Sequence, residues 1–599
     1  MGFTFSDKLI RNNQIVFIYE ECALSGVCRI AGQIREDIGK VFGARPIGVE
    51  YANFRDTAEF FEYPVFFGTV GNSAILDKLA TTSYIDLFSI AGEREAYMIK
   101  VIDGLKLDSF SFESAIVIAG SDTLGTIYGL YRLSEMIGIP ALADWMDIAP
   151  KHLEKLTLDP ISSLVAKAPS ATRRGFSVDD DAQALSDNFE KYIELLLRLK
   201  GNTLVCKECA CAAPAKEYGV TVINSCERIF EPSYLPKQSE AVYKYLEQGE
   251  VHEMVLNAHT VFAYEYNLAY FLSVAYDSGR WRSPGEDSAQ LFTAEFVKNT
   301  FPERSSEEHE DISYILLGYT AITEIFPILE LGNRTYEELS YAQREALIAQ
   351  CDAMIDMACS MRDKKSGDSE AFFGLVYIPA ICSLNMVRMW ALTGQNHALA
   401  DAGSTAANYF AQRIYDSVKL DRKLIAKLHE VIDGKWKKMK LPVPVKNPVV
   451  HTVIPSKTPD LIVMIPGSGQ CISVPDGSKE PLILHYPAGS RVDEWFELST
   501  GSEGKIKYEL SADDDRIVIC DHSKSVKCGK IRKVFVNLEG ITPDTKGLIG
   551  TITVAYERGS AALMAYSTAS LSVRASLRNA IYSRQYFSVE RRSSVSIRS

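Results

Sequence analysis

At 599 residues, the chain is too long for a single hydrophobic core, and length alone predicts about three to five domains. A hydrophobic content of 47% with 24% charged residues excludes a disordered or fibrous protein. The net charge of −13 argues against a nucleic-acid partner, because phosphate binding needs a basic surface to release counterions.

The stretch Met1 to Ile18 carries Asp7, Lys8, Arg11, Asn12 and Asn13 ahead of a short apolar run. It lacks the apolar segment and small-residue cleavage site of a secretory signal, so a cytoplasmic location is expected unless the true N-terminus is missing. No uninterrupted apolar run reaches the ~18 residues of a membrane span, and no membrane partner is expected.

In chain order, Val65-Phe66-Phe67 reads as a strand entering the turn Gly68 to Ser73, with a helix from Ala74 to Leu79. Ala115 to Ala119 is a continuous apolar run, as in a strand buried on both faces. The turn Gly120-Ser121-Asp122 leads from it into a helix over 126–137. The turn fits neither dinucleotide nor P-loop patterns, and Ser121 or Asp122 reads as a helix N-cap in a turn open to a sugar as well. These elements predict an N-terminal α/β domain over 1–165.

Arg174 to Val178 predicts a strand running into Asp179, Asp180 and Asp181, followed by a helix over 189–199 that Gly201-Asn202 closes. Further strands are predicted at 203–205, 220–223 and 254–257. This β-α-β-α rhythm is the start of a parallel sheet or (β/α)₈ barrel over 166–285. The segment from Arg173 to Arg282 is about 110 residues, against ~250 for a complete barrel, so about four units fit and the barrel reads as truncated.

Residues 286–440 are helical by periodicity, a bundle in which Met354, Met357, Met386 and Met389 serve the core. Pro442, Pro444, Pro448 and Pro455 mark an extended linker. Alternating strands at 505–510, 516–520, 533–538 and 550–555 then predict a β-sandwich over 441–565. Residues 566–599, rich in Ser and Arg, read as a disordered or aberrant tail. The class is therefore multidomain: α/β plus all-α plus all-β.

The cysteines read as free thiols. Cys206, Cys209, Cys211 and Cys226 offer part of a zinc site, but a second CxxC pair at standard spacing is missing. Neither a metal nor a cofactor is expected.

Several blocks, in order, resemble glycoside hydrolase family 115, the xylan α-1,2-glucuronidases. They are Phe67 to Asp77, Ala119 to Glu135, Ala407-Asn408-Tyr409 and Asp433 to Met439. The resemblance implies an N-terminal α/β domain, a (β/α)₈ barrel, a helical bundle and a β-sandwich. It also implies inverting removal of (4-O-methyl)glucuronic acid from glucuronoxylan or aldouronic oligosaccharides, without cofactor, often by a homodimer. This sequence departs from the family in three places. Cys226-Glu227-Arg228 stands where paired histidines are usual, Leu124 replaces an arginine, and the middle barrel strands have no counterpart, including the one bearing the family's proposed acid.

Inverting hydrolysis needs an acid and a base with room for water between them. The acids at predicted strand ends make Asp179, Asp181 and Glu265 the expected catalytic residues, with Asp180, Asn257, Ser121 and Asp122 contacting substrate. His259 follows closely and reads as a surface-loop residue. An active enzyme, a non-catalytic sugar-binding relative or the product of a damaged gene, and a hexosaminidase-like hydrolase are the readings weighed.

Overall fold

The computed structural model describes residues 2–568 apart from 22, 58–60, 180–185, 208–211, 227, 248–252, 259–260, 262–263, 282–287, 333–334, 337–338, 363–368, 436–446, 467–468, 475–479, 488–493, 522, 541 and 543–544. The chain forms two compact units. One comprises residues 1–321, 358–380 and 428–443; the other comprises 322–357, 381–427 and 444–599.

The first unit begins with a six-stranded sheet in the order Leu164–Ala166, Tyr97–Asp103, Ser114–Gly120, Tyr63–Thr69, Ile15–Tyr19, Ile47–Glu50. The last four of these run parallel; Tyr97–Asp103 pairs antiparallel with Ser114–Gly120, and the edge strand Leu164–Ala166 pairs antiparallel with Tyr97–Asp103 in turn. Ser114–Gly120 is buried along its whole length, as its unbroken apolar run requires. Helices Ser25–Phe42, Ala74–Thr81 and Thr123–Met136 supply the intervening connections.

A second, five-stranded sheet follows, ordered Thr221–Ile223, Thr203–Cys206, Arg173–Val178, Glu253–Asn257, Ile229–Phe230, with every pairing parallel. The last strand thus lies beside the first. The two-residue strand Ile229–Phe230 went unpredicted, because so short a segment has no period and is defined only by its pairing with Val255 and Leu256. Residues 224–228 join the two outer strands.

Helix Phe189–Arg198 buries Tyr192, Leu195 and Leu196, in keeping with its spacing. Its end differs from expectation: Lys200, not Gly201, takes the left-handed conformation (φ 61°). The Lys200 ammonium pairs with Glu135 at 2.9 Å and lies over the Tyr128 ring, contacts that offset the backbone cost. Gly201 serves close approach instead, since a Cβ there would meet Leu196 Cδ1 at 2.3 Å. Helices Ser288–Thr300 and Ser306–Ile325 follow, as the periodicity predicted. The helical run Glu370–Asp401 is long and apolar enough to cross a membrane, but 72% of its apolar window is buried inside the protein.

In the second unit, a five-stranded sheet (Gln470–Val474, Leu461–Ile465, Glu494–Ser499, Arg532–Leu538, Ile517–Cys520) faces a four-stranded one (Leu482–Pro487, Gly559–Thr568, Gly547–Tyr556, Glu509–Ala512). One apolar cluster draws on both, including Val463, Phe496, Val534, Leu484, Val554 and Leu563. The closing strand runs to Thr568, past the expected end at 565. The proline-marked linker is held in place: Asn396 exchanges two hydrogen bonds with the backbone of His451, and Asn408 does the same with Val453.

Candidate functional site

Parallel sheets present their chemistry at the carboxyl ends of the strands. In the five-stranded sheet that end is defined by the register Ser177↔Asn257 and Phe230↔Leu256. Ser177 Oγ donates to Asn257 Oδ1 at 3.0 Å, and Asn257 Nδ2 donates to Glu231 Oε1 at 3.0 Å. A carboxylate only accepts, so Glu231 fixes which way the amide faces, and Ser177 completes the row. Pro232 restrains Glu231 to an extended conformation, which carries the strand's direction past Phe230. Glu231 is solvent-exposed, Asn257 half-buried and Ser177 buried.

Asp179 lies half-buried just beyond the first strand, while Asp180 and Asp181 fall outside the described residues, as does His259. Glu265 opens helix Glu265–Tyr276 and is 1% exposed; Trp145 Nε1 donates to its Oε1 at 3.2 Å. Burial, reinforced by Glu231, pushes the Tyr264 phenol up. Tyr319 is pushed up by burial, with Glu265 and then Tyr264 adding to the effect. The structure thus brings Ser177, Asn257, Glu231 and Tyr264 into one neighbourhood and sets Glu265 into packing against Trp145. Sequence reasoning missed Glu231, because the strand that presents it has only two residues; the Glu231-Pro232 step was the available signal.

Ser121 and Asp122 are occupied by the protein itself. Asp122 caps helix Thr123–Met136 by accepting from Gly125 N at 2.8 Å, and its other oxygen accepts from Glu95 N at 2.8 Å. Ser121 Oγ accepts from Ala96 N at 2.9 Å and lies 3.0 Å from Ala96 O. The turn Gly68 to Ser73 is likewise filled: the Glu20 carboxylate accepts from Ser73 Oγ and from the backbone N–H groups of Ala74 and Ile75. An internal carboxylate therefore stands where a helix N-terminus would otherwise attract an anion.

Cys226 lies at the opposite end of the sheet, its Sγ 3.6 Å from Glu253 Oε2. Cys209 and Cys211 are outside the described residues. Among the described residues, no group of three or more His, Cys, Asp or Glu side chains is placed to hold a metal ion.

Helices and several sheets in this arrangement make a multidomain, GH115-like fold. A similar solved structure is a family GH115 4-O-methyl-α-glucuronidase with specificity for decorated arabinogalactans. The two align with a TM-score of 0.54 and 12% identity over 94% of this chain and 100% of that one. At that identity the likeness is one of fold. No protein-family model and no curated protein matches the sequence.

Proposed function

We propose that this chain is a glycoside hydrolase of the α-glucuronidase type, with its sugar site at the carboxyl end of the five-stranded parallel sheet. The observation that carries the reading is the row Ser177–Asn257–Glu231, an ordered set of hydroxyl, amide and carboxylate groups at the end where parallel-sheet enzymes place catalysis. The sheet corresponds to a (β/α) barrel shortened in its middle, in a chain that also carries the N-terminal α/β domain, the helical bundle and the β-sandwich.

The substrate class is an oligosaccharide bearing α-linked (4-O-methyl)glucuronic acid, from glucuronoxylan or from a decorated arabinogalactan of the kind named for the structural neighbour. Asp179 and Asp181 are the proposed catalytic carboxyl groups, with Asp180 and Asn257 as proposed substrate contacts; Glu265, Ser121 and Asp122, engaged by the protein's own groups, are not carried into the site. A homodimer and a cytoplasmic location complete the reading.

A second reading, a non-catalytic sugar-binding relative or the product of a damaged gene, is favoured by one observation. Thr221–Ile223 and Ile229–Phe230 stand at opposite edges of the sheet with only residues 224–228 between them. No chain remains there for further barrel strands. Purified protein is incubated with aldouronic oligosaccharides and with arabinogalactan, and free uronic acid is measured. Release that Asp179→Ala abolishes supports the enzyme; binding by calorimetry without release supports the second reading.

A further inference from the structure

We propose that Glu231 is the general base of this site, an assignment that rests on the hydrolase reading above. Three observations lead to it. Glu231 extends the strand Ile229–Phe230, so its register places it level with Asn257 and Ser177 on the same face of the sheet. Asn257 donates to one of its oxygens at 3.0 Å, which holds the carboxyl group in place at the strand end. The residue is exposed to solvent, where it can meet a water molecule.

Asp179 follows Ser177 by two residues and lies just past the end of the strand Arg173–Val178. The strands leading to Glu231 and Asp179 flank the one ending in Asn257. Two inter-strand spacings, about 10 Å, and a two-residue step along the strand, about 7 Å, therefore separate their backbones, roughly 12 Å in all. An inverting pair needs its carboxyl groups roughly 6.5–9.5 Å apart with a water between them, a gap that side chains reaching toward each other across Asn257 would leave. Asn257, held by Ser177 on one side, keeps Glu231 from swinging away.

In the resulting step, water attacks the anomeric carbon and gives one proton to Glu231. The bond from that carbon to the glycosidic oxygen breaks, and the leaving oxygen takes a proton from the Asp179 carboxyl group. Uronic acid of inverted configuration and the shortened glycan are the products. Solvent returns the proton from Glu231 and reprotonates Asp179.

The test compares wild type with Glu231→Gln, Glu231→Asp and Glu231→Ala, using an aldouronic oligosaccharide and an aryl α-glucuronide, with far-UV circular dichroism on each variant. Loss of a general base lowers turnover ~10²–10⁴-fold. The expected result is such a loss in kcat for Glu231→Gln on both substrates, with KM changed only a few-fold. Azide added to Glu231→Ala should restore turnover and yield a β-glucuronosyl azide, because the anion needs no deprotonation. Retention of near wild-type kcat by a folded Glu231→Gln, in an active wild type, overturns the assignment and leaves the hydrolase reading standing. Should Glu231→Gln not fold, the Asp and Ala variants carry the same comparison, and failure of azide to restore turnover overturns the assignment. A folded wild type that releases no uronic acid from either substrate overturns both.

Discussion

Arg174, with no exposed surface, pairs its guanidinium with the Glu95 carboxylate, itself 3% exposed. The pair ties the first strand of the five-stranded sheet to the loop preceding strand Tyr97–Asp103. Asn202 joins it, donating to Glu95 Oε1 at 2.9 Å and accepting from Arg174 N at 2.9 Å. The Tyr128 hydroxyl accepts from Arg174 Nη2 at 3.0 Å and donates to Gly201 O at 2.8 Å. The rings of Tyr128 and Tyr276 lie against the guanidinium at 5.6 and 5.3 Å. A charge so enclosed is tolerated only because its partners are present.

Removing one member of this pair should therefore leave an uncompensated buried charge. We expect Glu95→Ala or Arg174→Ala to destabilise the first unit by about 3–5 kcal/mol. Urea titration should show a lower midpoint at an unchanged slope. Tyr128→Phe, which removes only the hydroxyl, should cost about 1–2 kcal/mol. Single variants that stay within about 0.5 kcal/mol of wild type would show that the charges are not carrying the contact.

Elements long enough to show a period were legible in the sequence. Helix Phe189–Arg198 and strand Arg173–Val178 fall within a residue or two of expectation, because each repeats its apolar positions often enough to reveal one face. Leu461–Ile465 lay in the region expected to hold short strands but was not singled out, because its five apolar, buried residues show no alternation. The site was less legible. Asn257 could be placed at a strand end from its own run, but Glu231 gains its position from a pairing more than 20 residues away, which no local pattern encodes. Asp122 was legible as a helix N-cap, through its local bond from Gly125 N, but its second bond, from Glu95 N, and those from Ala74 and Ile75 N to Glu20 reach across intervening strands and left no local signal.

The linker contacts give a second measurement. Asn408 donates to Val453 O at 2.8 Å and accepts from Val453 N at 2.9 Å, pairing with the extended chain as a neighbouring strand would. Asn408→Asp keeps the acceptor but sets a carboxylate against a carbonyl oxygen, so it should be at least as damaging as Asn408→Ala. We expect a loss of about 1–3 kcal/mol in either case. Faster proteolysis within residues 449–453 should accompany it, and unchanged cleavage would disconnect these bonds from the hold on the linker.

Gly120 offers a steric test of the strand-to-helix turn. A Cβ there would lie 2.0 Å from Thr126 N and 2.4 Å from Thr126 Oγ1, where the helix backbone itself is in the way. Gly120→Ala should force helix Thr123–Met136 off the sheet and destabilise by about 1–3 kcal/mol, as overpacking does. Asp122→Ala should cost about 0.5–2 kcal/mol through the lost cap, with Asp122→Asn recovering most of it. Both are read from the thermal midpoint of the purified variants.

Glu497 supplies the clearest pH signal in the second unit. It is 2% exposed, and burial pushes its carboxyl group from 4.5 up to about 7, with nearby Glu345 adding to the rise. Lys533, whose Nζ lies 2.5 Å from Glu345, pulls in the opposite direction. So do the Tyr341 hydroxyl and the Trp495 indole, at contacts too imperfect for full hydrogen bonds to either Glu497 oxygen. Because the folded state holds the proton more tightly than the unfolded state, this group's contribution is complete below 4.5. It declines as pH rises from 4.5 and is lost above about 7. Each tenfold change in proton affinity is about 1.4 kcal/mol, so the decline is on the order of 3 kcal/mol. Glu497→Gln keeps the shape without the proton. Its urea midpoint should stay flat across that window and equal or exceed wild type at about pH 8. An identical pH slope in the variant and wild type would mean that Glu497 is already ionised in the folded protein.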